Sequence, residues 1–373
     1  MPENPFRPTF GVPPLFWVGR TAVLDTFRAA LDSEPGSPGR SLIISGARGI
    51  GKTVLLNELE DIASTRGWIT LRASGRSSMV EELVDTTIPR IMDKLAPADK
   101  SKVNRIGIGG ATIGIQHNTE EPYKPTLNTR LRELLAQLKG VGALITIDEV
   151  QDAEADDLTS LAATYQDLVR DELDVAIIAA GLPQGVNRLL DLPGVTFLRR
   201  AQKFVLGPLS PANAEVAFTQ TAAHSGLEFT EDGVAAAVRL SRGYPYLVQL
   251  VGSLAWGRAQ REGSHSIEAT SVNAISAEAI AVLGAQVHQP ATLALPPAQR
   301  LFLEAMSAVM ENGTAEIKNI AACQDRTVRS LSATRQRLID ADLIERTAHG
   351  QLQFVIPYME AYFTSTDSLG RVD

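Results

Sequence analysis

The sequence has very little cysteine, no long apolar run and no excess of positive charge. One cysteine among 373 residues excludes an internal disulfide and a zinc site built from several cysteines. We therefore predict that Cys323 is a small buried apolar residue. No apolar stretch approaches the ~20 residues of a membrane-spanning helix, and prolines interrupt the first 14 residues, where a secretion signal would be apolar. These absences predict a cytoplasmic protein without a membrane partner.

The charged and histidine residues exclude other classes. A net charge of −8 provides no global field for nucleic acid, so any DNA contact has to come from a local basic patch. The segment GRSSMVEEL does not fit the G-x-S-x-G pattern of serine hydrolases. The histidines lack metal-ligand spacing; they are His117, His224, His265, His288 and His349.

Five short apolar runs alternate with helical patterns in the first 209 residues. Each run is continuously apolar, which is typical of strands buried on both faces of a parallel sheet. The pattern predicts a three-layer α/β sandwich over residues 1–209. The runs are Ser41–Ser45, Trp68–Ala73, Ala143–Glu149, Val175–Gly181 and Lys203–Leu209.

The segments around this domain have other compositions. Residues 1–16 are rich in proline, and we expect them to lie extended over the surface. Alternation around Gly109 and Gly110 predicts a β-hairpin insertion at Arg105–His117. From residue 210 to 290 the strands stop and alanine-rich helices form a second domain. The prolines of His288–Pro297 predict a linker.

The C-terminal residues 291–373 form a compact third unit. We predict helices near Ala298–Met310, Ala315–Cys323 and Thr327–Ala341, followed by a hairpin over Leu343–Ile356. Three helices and a small β-wing describe a winged helix-turn-helix.

The stretch GARGIGKT, Gly46–Thr53, fits the phosphate-loop pattern G-x-x-x-x-G-K-[ST] and lies between a strand and a helix. Phosphate oxygens need many N–H donors at close range, and side chains at Gly46, Gly49 and Gly51 would block them. The following helix adds its dipole and unpaired amides. Lys52 supplies a charge for the β and γ phosphates, and Thr53 offers a hydroxyl to Mg²⁺.

The stretch ALITIDEV, Ala143–Val150, ends in two carboxylates at the C-terminal edge of a strand. In open α/β sheets this edge faces the ligand crevice. We therefore expect Asp148 to hold the Mg²⁺ shell and Glu149 to polarise the attacking water.

At these residues the sequence resembles an AAA+ ATPase, and more narrowly the clade of origin-recognition and signal-transduction (STAND-type) ATPases. FWVGR and DEVQD are similar to the clade's N-terminal and acidic motifs, and SRGYPYLVQLVG is similar to its lid element. The resemblance implies that Arg199 or Arg200 is an arginine finger; the alternative is a solvated pair. The implied nucleotide-binding residues are Val18, Arg20, Gly46, Ala47, Arg48, Gly49, Ile50, Gly51, Lys52, Thr53, Val54, Tyr244 and Pro245.

Two departures from the family favour a slow switch over a fast motor. The fourth strand ends in Ala179-Ala180-Gly181, where most relatives place a polar sensor of the γ-phosphate. The lid has Tyr244-Pro245-Tyr246 where many carry a sensing arginine, and Arg242 is slightly out of place.

The C-terminal unit leaves its partner open. Arg326, Arg329, Arg335 and Arg337 line one side of the predicted recognition helix, and Leu331 and Leu338 face the core. Nearby acidic residues almost cancel this charge, whereas binding by counterion release needs uncompensated cations. Winged helices also bind proteins.

Together these patterns predict an ATP-hydrolysing, Mg²⁺-dependent switch with ATP and ADP as ligands. ATP would bridge the first domain and the helical lid, so hydrolysis would move the winged helix. One reading is a DNA-associated initiator or loader that binds double-stranded DNA. The other is a regulatory or defence ATPase whose winged helix contacts protein partners or a second copy.

Overall fold

The computed structural model describes residues 3–75, 78–95, 124–138 and 140–366. The hairpin predicted at Arg105–His117 lies outside these residues. Within the described ranges, no helix is both long and apolar enough to cross a membrane.

A sheet of five parallel strands forms the centre of the first part of the chain, in the order β2-β3-β4-β1-β5. All five predicted apolar runs are strands. The last one ends early, at Leu206, because Pro208 has no N–H for a ladder. The strands are β1 (Ser41–Gly46), β2 (Ile69–Ser74), β3 (Ala143–Asp148), β4 (Val175–Gly181) and β5 (Gln202–Leu206).

Helices cover both faces of this sheet, as alternation along a strand requires. Leu42 and Ile44 of β1 pack into a core with Leu59, whereas Ile43 packs on the opposite face with Leu131. The three-layer sandwich is therefore confirmed. Its helices are α1 (Thr21–Leu31), α2 (Lys52–Thr65), α3 (Met79–Glu82), α4 (Ile88–Leu95), α5 (Leu127–Gln137), α6 (Ala155–Arg170) and α7 (Pro183–Asp191).

A helical lid follows the sheet. The expectation that strands stop here is slightly wrong, because two dipeptide strands pair in parallel within the lid, β6 (Glu228–Phe229) and β7 (Ser266–Ile267). The helices are α8 (Pro211–Ala223), α9 (Glu231–Ser241), α10 (Pro245–Glu262), α11 (Ala269–Ala274), α12 (Ser276–Leu283) and α13 (Gln289–Thr292).

The predicted linker at His288–Pro297 is wrong in its first half. Residues 284–288 form a widened helical turn that leads into α13, and the side chains of His288 and Thr292 are fully buried. Pro290 lies two residues after the widened turn, inside a stretch that stays helical from Ser276 to Thr292.

The N-terminal segment is more firmly held than an extended surface strand. Phe6 is buried, and its ring lies so close to α10 that a Cβ on Gly252 would meet it at 2.3 Å. The Asn4 amide donates to the Ser253 carbonyl at 3.1 Å, and the Arg7 N–H donates to Gln249 at 2.9 Å. This segment is therefore packed against the lid.

The C-terminal unit has the predicted winged-helix arrangement. It contains a three-stranded antiparallel sheet, in the order β8-β10-β9, together with short helices. Its elements are α14 (Pro297–Ala308), β8 (Ala315–Glu316), α15 (Ile317–Cys323), α16 (Ser332–Asp340), β9 (Ile344–Ala348), β10 (Gln351–Phe354) and α17 (Met359–Thr366).

Two expectations for this unit are wrong in detail. The third helix begins at Ser332 and not at Thr327, because the Thr327 hydroxyl accepts the Ser330 N–H in a preceding turn. Cys323 is exposed, since it ends α15 on the solvent side. Leu331 and Leu338 are buried as expected.

One apolar core runs through much of the chain. Leu55 of α2, Trp256 of the lid and Phe302 of α14 belong to the same buried cluster. The boundaries near residues 209 and 290 therefore stay a prediction, because in the described part of the chain this cluster crosses both of them.

Candidate functional site

The phosphate loop connects β1 to α2, and its three glycines are needed for different reasons. Gly49 and Gly51 have φ angles of +70° and +95°, which residues with a Cβ adopt at a cost. Gly46 is needed for packing, because a Cβ there would lie 2.7 Å from the Leu206 carbonyl oxygen. Backbone conformation and packing thus require glycine before any ligand is considered.

The Lys52 side chain is buried inside its own loop. Its Nζ donates to the carbonyl oxygens of Gly46 at 2.9 Å and Ala47 at 3.0 Å. Burial lowers the pKa of Lys52, and the charges of Glu149, Asp342 and Asp148 oppose that shift. The ammonium therefore has three carboxylates within electrostatic reach.

A direct hydrogen bond joins the phosphate loop to the acidic strand end. The Thr53 hydroxyl donates to Asp148 Oδ2 at 2.7 Å, although β4 separates β1 from β3 in the sheet. The other oxygen, Asp148 Oδ1, accepts the Glu149 N–H at 2.9 Å. A hydroxyl beside a carboxylate is an oxygen donor set that suits Mg²⁺, which keeps several waters and takes phosphate oxygens.

Glu149 follows β3 in a left-handed backbone conformation with φ +53°. This uncommon conformation turns the chain sharply after Asp148. The Glu149 carboxylate accepts a hydrogen bond from the Gln151 amide and lines the adjacent cavity. Gln151 was not singled out from the sequence.

A cavity of about 390 Å³ opens beside the loop. Its walls come from residues 7–18, the phosphate loop, the start of α10 and residues 286–291. Gly46, Ala47, Asp148 and Tyr244 lie outside the lining. The predicted site residues that line it are Val18, Arg20, Arg48, Gly49, Ile50, Gly51, Lys52, Thr53, Val54, Glu149 and Pro245.

The apolar end of this cavity contains aromatic residues that the sequence analysis missed. The rings of Phe10 and Tyr246 stack with centroids 5.1 Å apart and planes 4° apart. Trp17 and Val18 continue the same wall. Flat apolar surfaces of this kind suit a nucleotide base. The only sequence signal for these aromatic residues was that Phe10 and Tyr246 each lie close to a proline.

Arg20 fixes the start of α1 rather than reaching across the cavity. Its Nη2 donates to the Gly207 carbonyl at 2.6 Å, and burial lowers its pKa. Arg20 also lines the cavity, so its role as a nucleotide-binding residue stays a prediction. Val18 is half-buried and packs against the main core.

Tyr244 places the lid directly on the phosphate loop. Its hydroxyl donates to the Arg48 carbonyl, and a Cβ on Gly49 would lie 2.0 Å from the Tyr244 hydroxyl oxygen. Burial raises the pKa of Tyr244. The ring is fully buried, so Tyr244 joins loop and lid, while Pro245 and Tyr246 face the cavity.

Asp342 brings the winged-helix unit to the same place. It stands between α16 and β9 with φ +56°, and its Oδ2 is buried without a hydrogen-bond partner among the described residues. Burial raises the pKa of Asp342 to about 6, while the charges of Lys52 and Arg48 lower it. Nothing in the local sequence signals this approach.

Other candidate arginines lie away from the cavity. Arg199 and Arg200 are exposed in a short helical turn before β5, and Arg199 Nε donates to the Leu190 carbonyl at 2.8 Å. Arg242 lies over the Tyr358 ring at 3.9 Å and pairs with Glu360 at 3.3 Å, so it fastens the lid to the C-terminal unit.

The predicted DNA-contacting arginines are also dispersed. Arg326 and Arg329 are exposed in the turn before α16, and Arg337 is exposed on the helix. Arg335 is half-buried, and its Nε has no hydrogen-bond partner among the described residues.

Comparison with known families agrees with this geometry. The family model of the AAA ATPase domain matches residues 17–178. Residues 17–178 are an AAA+ P-loop ATPase domain. A second model, described as a domain of unknown function (DUF8462), matches residues 285–363, which contain the winged helix. A search of the curated proteins gives no match.

Solved structures resemble the AAA+ domain together with the lid and the winged helix. A Walker-type ATPase of Pyrococcus abyssi has a TM-score of 0.61 and 16% identity, over 93% of this chain and 96% of its own. The Aeropyrum pernix ORC2 protein, solved as ADPNP–ADP complexes, gives 0.59 and 15%, over 96% of both. Cdc6p of Pyrobaculum aerophilum gives 0.50 and 16%, over 97% of both. At these identities the likeness concerns the fold.

Proposed function

We propose that the chain binds ATP at the phosphate loop and hydrolyses it slowly to ADP and phosphate. Lys52 holds the β and γ phosphates, Glu149 takes the proton of the attacking water, and Arg48 to Val54 supply the backbone amides of the loop. The base packs toward Val18 and the stacked pair Phe10 and Tyr246. Tyr244 and Pro245 carry the state of the nucleotide to the lid.

The observation that carries this proposal is the 2.7 Å hydrogen bond from Thr53 to Asp148. It joins the loop that would hold phosphate to the strand that ends in carboxylates. Thr53 and Asp148 are the residues that would hold Mg²⁺, directly or through water, and the bound ion neutralises charge on the phosphates. Glu149 is next to this pair and open to the cavity, as a general base has to be.

Glu149→Gln tests the hydrolytic role. We expect Mg-ATP to bind this variant as it binds the wild type, whereas turnover falls by about 10²–10⁴-fold, the range attributed to general-base catalysis. Calorimetry gives the affinity, and phosphate release under single-turnover conditions gives the rate. Equal turnover in both proteins would refute the base assignment, and no heat with Mg-ATP would refute the nucleotide site.

We further propose that the nucleotide state is coupled to the C-terminal unit and that this unit contacts double-stranded DNA, as an initiator or loader would. Two observations support the coupling. The carboxylate of Asp342 lies within electrostatic reach of Lys52 and Arg48 in the phosphate loop, and the pair Arg242–Glu360 joins the lid to the C-terminal unit. Exposed Arg326, Arg329 and Arg337 support the DNA contact. Arg199 or Arg200 would act only on a neighbouring copy, since both are remote from the cavity of their own chain.

A regulatory or defence ATPase is the second candidate. The observation that favours it is the position of Asp342, which brings a carboxylate of the winged-helix unit within electrostatic reach of Lys52 and Arg48 in the phosphate loop. Gel filtration with and without ATP and DNA separates the two. A DNA-dependent shift supports the first candidate, and ATP-dependent oligomers without DNA affinity support the second.

A further inference from the structure

The end of β4 lies between the phosphate loop and the acidic strand end, and it has no polar side chain of its own. The sheet order places β4 between β1 and β3, and β4 ends in Ala179, Ala180 and Gly181. The γ-phosphate and the attacking water of a bound nucleotide would lie over this end. The structure therefore raises the question of which side chain supplies polarity there.

Gln151 occupies that position. Its Oε1 accepts the N–H of Leu182, the first residue after β4, at 3.0 Å. Its Nε2 donates to Glu149 Oε2. The carboxamide thus bridges the end of β4 and the carboxylate of Glu149, accepting a hydrogen bond on one side and donating one on the other.

Two glycines make room for this side chain. A Cβ on Gly181 would lie 2.8 Å from Gln151 Oε1, and a Cβ on Gly185 would lie 2.3 Å from Gln151 Cβ. Distances below 3.0 Å force a neighbour to move, so any larger residue at either place displaces Gln151. The backbone is held as well, because Arg188 donates to the Gln151 carbonyl.

We propose that Gln151 is the positioning residue for Glu149 in ATP hydrolysis. This inference rests on the proposed function. One carboxylate oxygen of Glu149 is held by the amide, which leaves the other free for the attacking water. A general base that is fixed in this way avoids losing rate to misplacement, where 1 Å can cost about 10²-fold.

Two variants test the role and separate it from folding. Gln151→Met has nearly the same length but loses both hydrogen bonds. Gln151→Glu keeps the acceptor for the Leu182 N–H but replaces the donor to Glu149 with a carboxylate that repels it. It stays a valid test if the methionine variant fails to fold. Gln137→Met, at an exposed position at the end of α5, is the matched control.

We expect both Gln151 variants to lower the single-turnover rate by about 10–100-fold, as loss of an orienting partner does at metal sites. The dissociation constants for Mg-ATP and Mg-ADP should stay within about twofold of wild type, because the amide does not touch the phosphate loop. Gln137→Met should leave rate and affinity unchanged. A fall in rate with unchanged affinity is the expected signature of positioning.

A double-mutant cycle completes the test. In the Glu149→Gln background, Gln151→Met should cost no further rate, since the residue that it positions is gone. The proposal is overturned by wild-type or faster turnover in both Gln151 variants, by a loss of affinity equal to the loss of rate, or by additive effects. If the wild type neither binds nor hydrolyses Mg-ATP, the proposed function fails first and this inference with it.

Discussion

The phosphate loop and the surface around α16 both carry charged side chains, but the loop holds them in far better defined positions. Lys52 is bonded to two carbonyls, and Thr53 is bonded to Asp148. Around α16, Arg326, Arg329 and Arg337 are exposed. Fixed charges favour one chemistry, whereas exposed charges create a field that many partners can use. The difference explains why the loop identifies a reaction and the winged helix does not identify a partner.

The largest expected effect is at the phosphate loop, where the charged side chains are held in defined positions. Lys52→Ala removes a buried charge that no other cation in the loop replaces, since Arg48 is exposed. We expect Mg-ATP affinity to fall by at least about 100-fold, which is the scale of a buried charge pair broken on one side, ~3 kcal/mol. Calorimetry measures the loss, and Lys203→Ala, at an exposed position in β5, is the control. Wild-type affinity in Lys52→Ala would contradict the assignment of the loop.

Much of the phosphate-loop site is predictable from the sequence. Spacing alone places Gly46 to Thr53 between a strand and a helix, and the apolar run before Asp148 identifies the second strand. Local patterns determine these elements, so a local reading finds them. The bridge by Gln151 is different, because it depends on the absence of side chains at Gly181 and Gly185. Missing side chains in a segment distant from Gln151 leave no periodic pattern around Gln151 itself.

The contacts of distant segments are the part that sequence patterns do not predict. Phe10 meets Tyr246, and Asp342 comes near Lys52, only because the lid and the winged helix pack against the loop. The linker predicted from the prolines at 290 and 296 was wrong in its first half because those prolines report only a local preference. Local propensity is a weak prior, and the buried side chains of His288 and Thr292 outweigh it.

Asp342 sharpens the comparison, since it belongs to the winged helix but lies at the phosphate loop. Its carboxylate would repel nucleotide phosphates that approach Lys52 and Arg48. We therefore expect Asp342→Asn to bind Mg-ATP about 10-fold more tightly, ~1.4 kcal/mol. Asp340→Asn, two residues earlier on α16 and exposed, is the control of equal charge. Unchanged or weaker binding in Asp342→Asn would mean that the carboxylate does not compete with phosphate.

Substitution of the exposed arginines around α16 is expected to give a smaller change in affinity. If DNA binds at α16, Arg329→Ala and Arg337→Ala should each weaken binding a few-fold and reduce the slope of log affinity against log salt by about 1. Fluorescence anisotropy with a duplex at several salt concentrations measures both. Arg90→Ala, exposed on α4, is the control. A slope that is the same in all four proteins would favour protein contacts for this unit.

The smallest expected effect concerns the contact between His288 of the lid and Pro357 of the C-terminal unit, which we call the seam. His288 is buried in the lid, and its Nε2 is 2.8 Å from the Pro357 carbonyl, so the neutral ring donates across the seam. Burial lowers the pKa of His288 to about 4, against about 6.5 when unfolded. Below the unfolded value the unfolded chain binds the extra proton, so stability is lost as the pH falls from 6.5 toward 4.

This linkage predicts a loss of about 0.8 kcal/mol of unfolding free energy from His288 between pH 8 and pH 6. His288→Gln keeps an N–H for the carbonyl but does not titrate, so its stability should fall less over the same interval. Chemical denaturation at both pH values measures the slope for each protein, and His224→Gln, at an exposed position, is the control. Equal slopes in all three would show that protonation of His288 does not open the seam. A shallower slope in His288→Gln alone would mean that the inward end of the winged helix, unlike its exposed arginine surface, is held by a neutral buried contact.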